Sequence, residues 1–105
     1  MPQFGVHRNP NPATRAAFPL LLDVQSDLVA DLGTRVVVPL CPASAMKGKI
    51  IDTLMPVFEI GGKQYVMLTP QLAGIGNKQM GAKVADLAHQ RDAIVAALDL
   101  LITGI

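Results

Sequence analysis

The chain has 105 residues, half of them hydrophobic, with a formal net charge of +1 and one cysteine. That length can bury a core without disulfide or metal staples, and the apolar share excludes disorder of the whole chain. The near-neutral charge supplies no basic field for direct nucleic-acid binding. Cys41 alone excludes an internal disulfide framework and a cysteine-based zinc site. No apolar run approaches the roughly 20 residues that span a bilayer. The opening MPQFGVHRNPNP lacks the apolar core of a signal peptide. These features lead us to expect a soluble, cytoplasmic chain folded as one domain over residues 1–105.

The first predicted element is a short strand over Gln3 to His7, where Phe4 and Val6 alternate with polar or small neighbours. Two Asn-Pro dipeptides then mark a loop, flanked by Arg8 and Arg15. Phe18 to Val24 (FPLLLDV) reads as a second strand. Its consecutive leucines suggest a strand covered on both faces or one running near an interface. A polar loop follows, interrupted by the apolar pair Leu28-Val29. Thr34 to Leu40 (TRVVVPL) carries the strongest strand signal. Pro39 cannot donate to a ladder, which predicts that this end lies at an edge or bulge. Cys41 to Lys49 reads as a turn, and Ile50 to Met55 as a short strand or extended connector. Pro56 to Ile60 and Lys63 to Thr69 flank Gly61-Gly62, a two-residue hairpin signal. Pro70 to Gly81 reads as loop.

The last stretch, Val84 to Ile105, has a helical apolar period and many alanines. Gly104 is suited to close such a helix in the left-handed conformation. On this helix Arg91 falls inside the apolar stripe, either snorkelling to a carboxylate or pairing across a subunit interface. Strands in sequence followed by one helix argue for an antiparallel sheet with the helix packed on it.

Catalytic machinery is sparse. His7 and His89 have no metal-ligand spacing and no neighbouring nucleophile, and Cys41 reads as a buried, inert thiol. Asp23 and Asp27 are four apart and could form an acid pair, although Asx-turn bonding is the ordinary role of such residues. The Gly61-Gly62 and Gly74-x-Gly76 pairs lack what a phosphate loop requires. We therefore expect no catalytic residue, no metal and no cofactor. A binding protein fits better, its candidate surface being the apolar chain end, Ile102 to Ile105, together with Leu28-Val29. The alternative role for Ile102 and Ile105 is to close the core.

The segments FPLLLDVQSDL, GTRVVVPL, MPVFEIGGKQYVMLT and VADLAHQRDAIVAALDLLITGI resemble the CcdB family, the toxins of type II toxin–antitoxin modules that poison DNA gyrase. The most specific matches are Asp23 to Asp27, Arg35 to Leu40, Val84 to Leu87 and the terminal Gly104-Ile105. The resemblance implies an α+β, mainly β fold. Its parts are a five-stranded antiparallel, SH3-like and partly barrel-like sheet, a small extra sheet and one C-terminal helix. It also implies a homodimer that binds the gyrase A subunit and traps the enzyme on cleaved DNA. The neutralising partner is an antitoxin of the CcdA type, whose disordered C-terminal segment folds on binding. The gyrase-contacting positions of the family fall on Leu28, Val29, Asp99, Ile102, Thr103, Gly104 and Ile105. Well-known plasmid members carry asparagine, phenylalanine and tryptophan where this chain has Asp99, Ile102 and Thr103. A second reading with the same fold is a non-toxic dimeric module that serves as antitoxin partner and transcriptional corepressor.

Overall fold

The protein is described by a computed structural model covering residues 2–46, 48 and 52–104. Among the described residues seven strands precede one α-helix: β1 (Gly5–Arg8), β2 (Leu20–Asp23), β3 (Thr34–Pro42), β4 (Val57–Ile60), β5 (Lys63–Met67), β6 (Ala73–Gly76), β7 (Lys83–Asp86) and α1 (Arg91–Thr103). All pairings are antiparallel, in the path β4-β5-β3-β2-β1-β7, with β6 also on β3. The result is a curled, half-barrel sheet with the helix at the C-terminus, mainly β as expected.

β3 organises this arrangement. One of its edges pairs with β2. The other pairs first with β6, over Thr34 to Val37, and then with β5, over Leu40 to Pro42. Strands β6, β3, β2, β1 and β7 thus form the five-stranded body, and the β4–β5 hairpin with the end of β3 forms the small extra sheet.

Pro39 corrects the expectation of an edge or bulge, because it lies inside this central strand, opposite Leu21. Its carbonyl accepts from the Leu68 N–H at 3.0 Å. The N–H that proline lacks would point to the same side, where β3 changes partner from β6 to β5, so no ladder bond is lost.

Residues paired across the ladders share a face. Val6, Leu22 and Val38 stand in one row, and Leu20 and Leu40 are paired beside it. With Phe4, Phe58, Met67, Leu87, Ile94 and Ala97 they form the main core, between the sheet and α1. The other face carries His7, Leu21, Asp23, Arg35 and Val37, all buried. The run of leucines in β2 is therefore covered on both sides within one chain. A second cluster of Cys41, Met55, Val66 and Leu68 lies under the small sheet. Burial pushes the Cys41 thiol up from its usual pKa, so it stays protonated and unreactive at neutral pH.

Several boundaries move from their expected places. β1 starts at Gly5, one residue after Phe4, whose φ is 70°. A left-handed residue cannot continue a strand. Phe4 is held there by its N–H to the Asp23 carbonyl (2.6 Å), by the Leu87 N–H to its own carbonyl (2.9 Å) and by the core packing of its ring. The turn after β3 is a 3₁₀ turn over Ala43–Ala45, and β3 itself runs on to Pro42. Of the expected Ile50 to Met55 connector, Ile50 and Ile51 lie outside the described residues, and 52–54 form a turn. The Gly61-Gly62 hairpin is as expected, with φ of 59° and 82°. Its register pairs Phe58 with Tyr65 and Val57 with Val66.

The Pro70 to Gly81 segment is not all loop: Ala73–Gly76 forms β6 on the first half of β3. The final helix is shorter than its apolar period implies, because Lys83–Asp86 pairs with β1 as β7. The open edge of β1 supplies hydrogen-bond partners there, and tertiary pairing overrides alanine propensity. Arg91 then falls in the first helical residue and is exposed, with no ion pair among the described residues. It neither snorkels to a carboxylate nor sits in a buried stripe, because the stripe that would have enclosed it breaks at Leu87.

Asp86 makes the change from strand to helix. Its Oδ1 accepts the Ala88 N–H at 2.7 Å, and its Oδ2 meets Lys83 Nζ at 3.2 Å. The first of these bonds, then the lysine, holds the carboxyl below its usual pKa. A depressed folded value means that its contribution is present above the ordinary carboxylate range and lost as pH falls through the folded value. Below about pH 4, NMR exchange of the Ala88 amide is therefore expected to lose protection in the native chain, whose carboxyl becomes a weaker, uncharged acceptor, and not in Asp86→Asn, whose acceptor carries no charge to lose. A native Ala88 amide equally protected throughout would contradict this role.

A second expectation concerns the buried charge. Arg35 NH2 lies 2.7 Å from Asp23 Oδ2, with the two side chains 1% and 0% exposed. Removing one member strands the other in the interior, which costs about 3–5 kcal/mol. Asp23→Ala is expected to lose that much in urea denaturation, and a loss below about 1 kcal/mol would mean the pair behaves as a surface one.

Candidate functional site

Two apolar segments stand in solvent. The first is a 3₁₀ turn over Asp27–Leu32, between β2 and β3. Ser26 caps it: its Oγ accepts the Leu28 N–H at 3.2 Å, and its carbonyl accepts the Val29 N–H at 3.1 Å. Leu28 is 96% exposed, Val29 45% and Leu32 66%. With three residues per turn, Val29 and Leu32 lie in line along one side. A leucine left in water forgoes about 1.5–3 kcal/mol of burial, which a partner covering it would recover. Leu32 was missed in the sequence reading, although its step of three from Val29 is the signal that a 3₁₀ turn makes meaningful.

Beneath this turn lies a polar network that the sequence does not reveal. Asp23 Oδ1 accepts the Gln25 N–H at 3.1 Å, the Asx-turn role expected of it, while Oδ2 accepts from Arg35 Nε at 2.8 Å. Asp23 and Asp27 do not form an acid pair. Asp27 Oδ1 accepts the Gln3 N–H at 2.8 Å and lies 3.9 Å from Arg35 NH2. Each carboxylate is instead turned to its own partners, with the Arg35 guanidinium within reach of both.

The second segment is the end of α1. Ile94 and Ala97 bury one side of the helix. Asp99, Ile102, Thr103 and Gly104 are exposed, Ile102 at 73%. Thr103 Oγ1 donates to the Asp99 carbonyl at 2.6 Å. Gly104 has φ of 72° and returns its N–H to the Leu100 carbonyl at 3.0 Å, the expected left-handed closure. An added Cβ there would meet nothing within 4 Å, so conformation rather than space calls for glycine. Ile105 lies outside the described residues. The turn and the helix end are carried by separate elements of the chain.

Groups that could do covalent chemistry are scattered. His7 is buried in β1, its Nδ1 3.0 Å from the Gly81 carbonyl, and His89 is exposed in a 3₁₀ turn before α1. Among the described residues no cluster of three or more His, Cys, Asp or Glu could hold a metal. A cleft of about 600 Å³ opens between the 9–18 loop and β6, over Leu21, Val37, Pro39 and Ile75. Among its described lining residues Lys78 is the one charged side chain. No helix among the described residues is long and apolar enough to cross a membrane.

Residues 3–104 match the sequence model of the family described as CcdB protein. The chain belongs to the CcdB family. At family level this is a toxin of toxin–antitoxin modules that poisons gyrase, rather than a family of enzymes. Of the positions at which CcdB resemblance implies partner contact, Leu28, Val29, Asp99, Ile102, Thr103 and Gly104 are all exposed in this fold.

An exposed residue outside any buried network changes stability by no more than about 0.5 kcal/mol when replaced. Leu28→Asn and Ile102→Asn are each expected to unfold in urea within that margin of the native chain. A loss above about 1 kcal/mol in either would assign the residue to the fold and not to a partner surface.

Proposed function

We propose that this protein is the toxin of a type II toxin–antitoxin module, acting as a single CcdB-like domain over residues 1–105 in the cytoplasm. It binds the A subunit of DNA gyrase as a homodimer and traps the complex on cleaved DNA. The observation that carries this reading is the family match over residues 3–104 joined to the exposure of Leu28 (96%) and Ile102 (73%) at the implied contact positions.

The mechanism needs no bond chemistry by the toxin. A two-fold dimer presents paired helix ends, which suits an isologous groove on a two-fold target. Leu28 and Val29 supply apolar contact from the turn. Ile102 and Ile105 do so from the helix end, Gly104 lets the backbone approach closely, and Asp99 and Thr103 offer polar contacts. A ligand shifts an equilibrium only through its preference for one state. Trapping therefore follows if the dimer prefers gyrase with its DNA gate open and the DNA cleaved. An antitoxin of the CcdA type, with a disordered C-terminal segment that folds on the toxin, would compete for this state. The net charge of +1 fits a protein that reaches DNA only through gyrase.

One observation favours a second reading. Ile102 and Thr103 stand where plasmid relatives carry large aromatics, the residues that most often dominate interfaces. A chain that lost gyrase affinity but kept its antitoxin would act as a corepressor.

Purified gyrase, supercoiled plasmid and this protein separate the two readings. We expect inhibition of supercoiling and accumulation of linear DNA after denaturant quench, and neither with a chain lacking Thr103 to Ile105. Ile102→Asn should weaken the effect about 10- to 100-fold, the equivalent of one buried apolar side chain. Unimpaired supercoiling with no linear DNA would overturn the gyrase reading in favour of the corepressor.

A further inference from the structure

The geometry points to Gln25 as the positioning residue of the apolar turn, the side chain that ties Leu28, Val29 and Leu32 to the central strand. The consequence for gyrase rests on the reading of Leu28 and Val29 as partner contacts. The tie itself does not.

Gln25 lies two residues beyond β2, buried, just before the Ser26 cap of the turn. Each of its polar groups has a partner. Its N–H donates to Asp23 Oδ1 at 3.1 Å, and its carbonyl accepts from Arg35 NH2 at 3.4 Å. Its side-chain Oε1 accepts the Val36 N–H at 3.0 Å, and its Nε2 donates to the Val29 carbonyl at 2.7 Å. The amide orientation is fixed by these last two partners, since a backbone N–H requires the oxygen and a carbonyl requires the nitrogen.

The Val36 bond extends the sheet. Just before it, the Val24 N–H donates to the Val36 carbonyl at 3.0 Å, the final backbone contact between the two strands. Beyond that point the Gln25 side chain takes the place of a backbone carbonyl for β3. Its other end then reaches across to Val29. The strand at the centre of the fold is thereby joined, through one planar amide, to an exposed apolar residue.

Other restraints on the turn are weaker in kind. Ser26 and Asp27 bond from exposed positions, where water competes for both partners. Gln25 bonds from a buried one, beside the neutralised Asp23–Arg35 pair. An exposed loop with three large apolar side chains would otherwise fold them onto the surface or onto each other. Holding the turn in one shape reduces the ordering needed on binding, and this lowers the cost of association.

Gln25→Glu isolates this role. A carboxylate still accepts from Val36 N–H but can no longer donate to the Val29 carbonyl. In hydrogen exchange on the isolated protein, the Leu28 and Val29 amides are expected to exchange at least 10-fold faster in the variant, over and above any change shared with Val36 and the core strands. Affinity for the gyrase A subunit should fall at least 10-fold, mainly through faster dissociation, and the melting temperature should fall as well, because the variant buries a carboxylate. Unchanged exchange at Leu28 and Val29 would overturn the inference. So would faster exchange spread evenly over the core, which marks a purely structural residue. If the native chain does not bind gyrase A at all, the functional reading fails, and the exchange contrast still decides the tie. The native protein gives a check that needs no variant: the Gln25 side-chain amide protons should be protected from exchange, and free exchange of both would overturn the proposal.

Discussion

The pairing of Arg35 with Asp23 is the constraint around which the second face of the sheet is built. Arg35 opens the central strand, and Asp23 closes its neighbour. Both side chains are buried, so removing either leaves the other without its partner in the interior. A buried ion pair is weak evidence for stability in itself, because desolvation offsets much of the attraction. Its effect here is on conformation. Asp23 also holds the Gln25 backbone, Arg35 reaches the Gln25 carbonyl, and Gln25 holds both β3 and the exposed turn. The route from core to surface passes through these three side chains.

The opposite face is apolar and conventional in its physics. Val6, Leu22, Val38 and Leu40 meet Ile94 and Ala97 of α1, and this packing sets where the helix lies. The helix end then extends past the core, since Ile94 and Ala97 are its fully buried residues and Ile102 is largely in water. One sheet therefore carries the two exposed apolar segments by two different means, a polar network under the turn and hydrophobic packing under the helix. A protein that acts by binding gains from surfaces held in place in this way, because less ordering remains to be done on association.

Much of this was legible in the sequence where a local rule had no rival. The two glycines of the β4–β5 hairpin and the valines of β3 behaved as their turn and strand preferences dictate. Gly104 closed the helix. The failures fall where tertiary partners decide. Ala73 to Gly76 shows no alternation, and it is a strand because β3 offers an open edge. Val84 to Asp86 fits a helical period, yet β1 captures it. Pro39 argued for an edge until the change of partner from β6 to β5 removed the need for its N–H. The site divides in the same way. Leu28, Val29 and the chain end from Ile102 stood out as apolar segments in the sequence itself and Asp99 came from resemblance, while Leu32, Arg35 and Gln25 could be found only once the 3₁₀ turn and its buried network were known. Charged residues twelve apart, such as Asp23 and Arg35, leave no periodic trace.

The proposed gyrase contact is made by two segments, the 27–32 turn and the helix end. Amide chemical-shift mapping of the isotope-labelled protein, titrated with the purified dimeric core of the gyrase A subunit, tests it most directly. The account predicts shifts and broadening concentrated at Asp27 to Gly33 and at Asp99 to Gly104. Perturbation concentrated instead on the cleft between the 9–18 loop and β6, with those two segments unmoved, would contradict it.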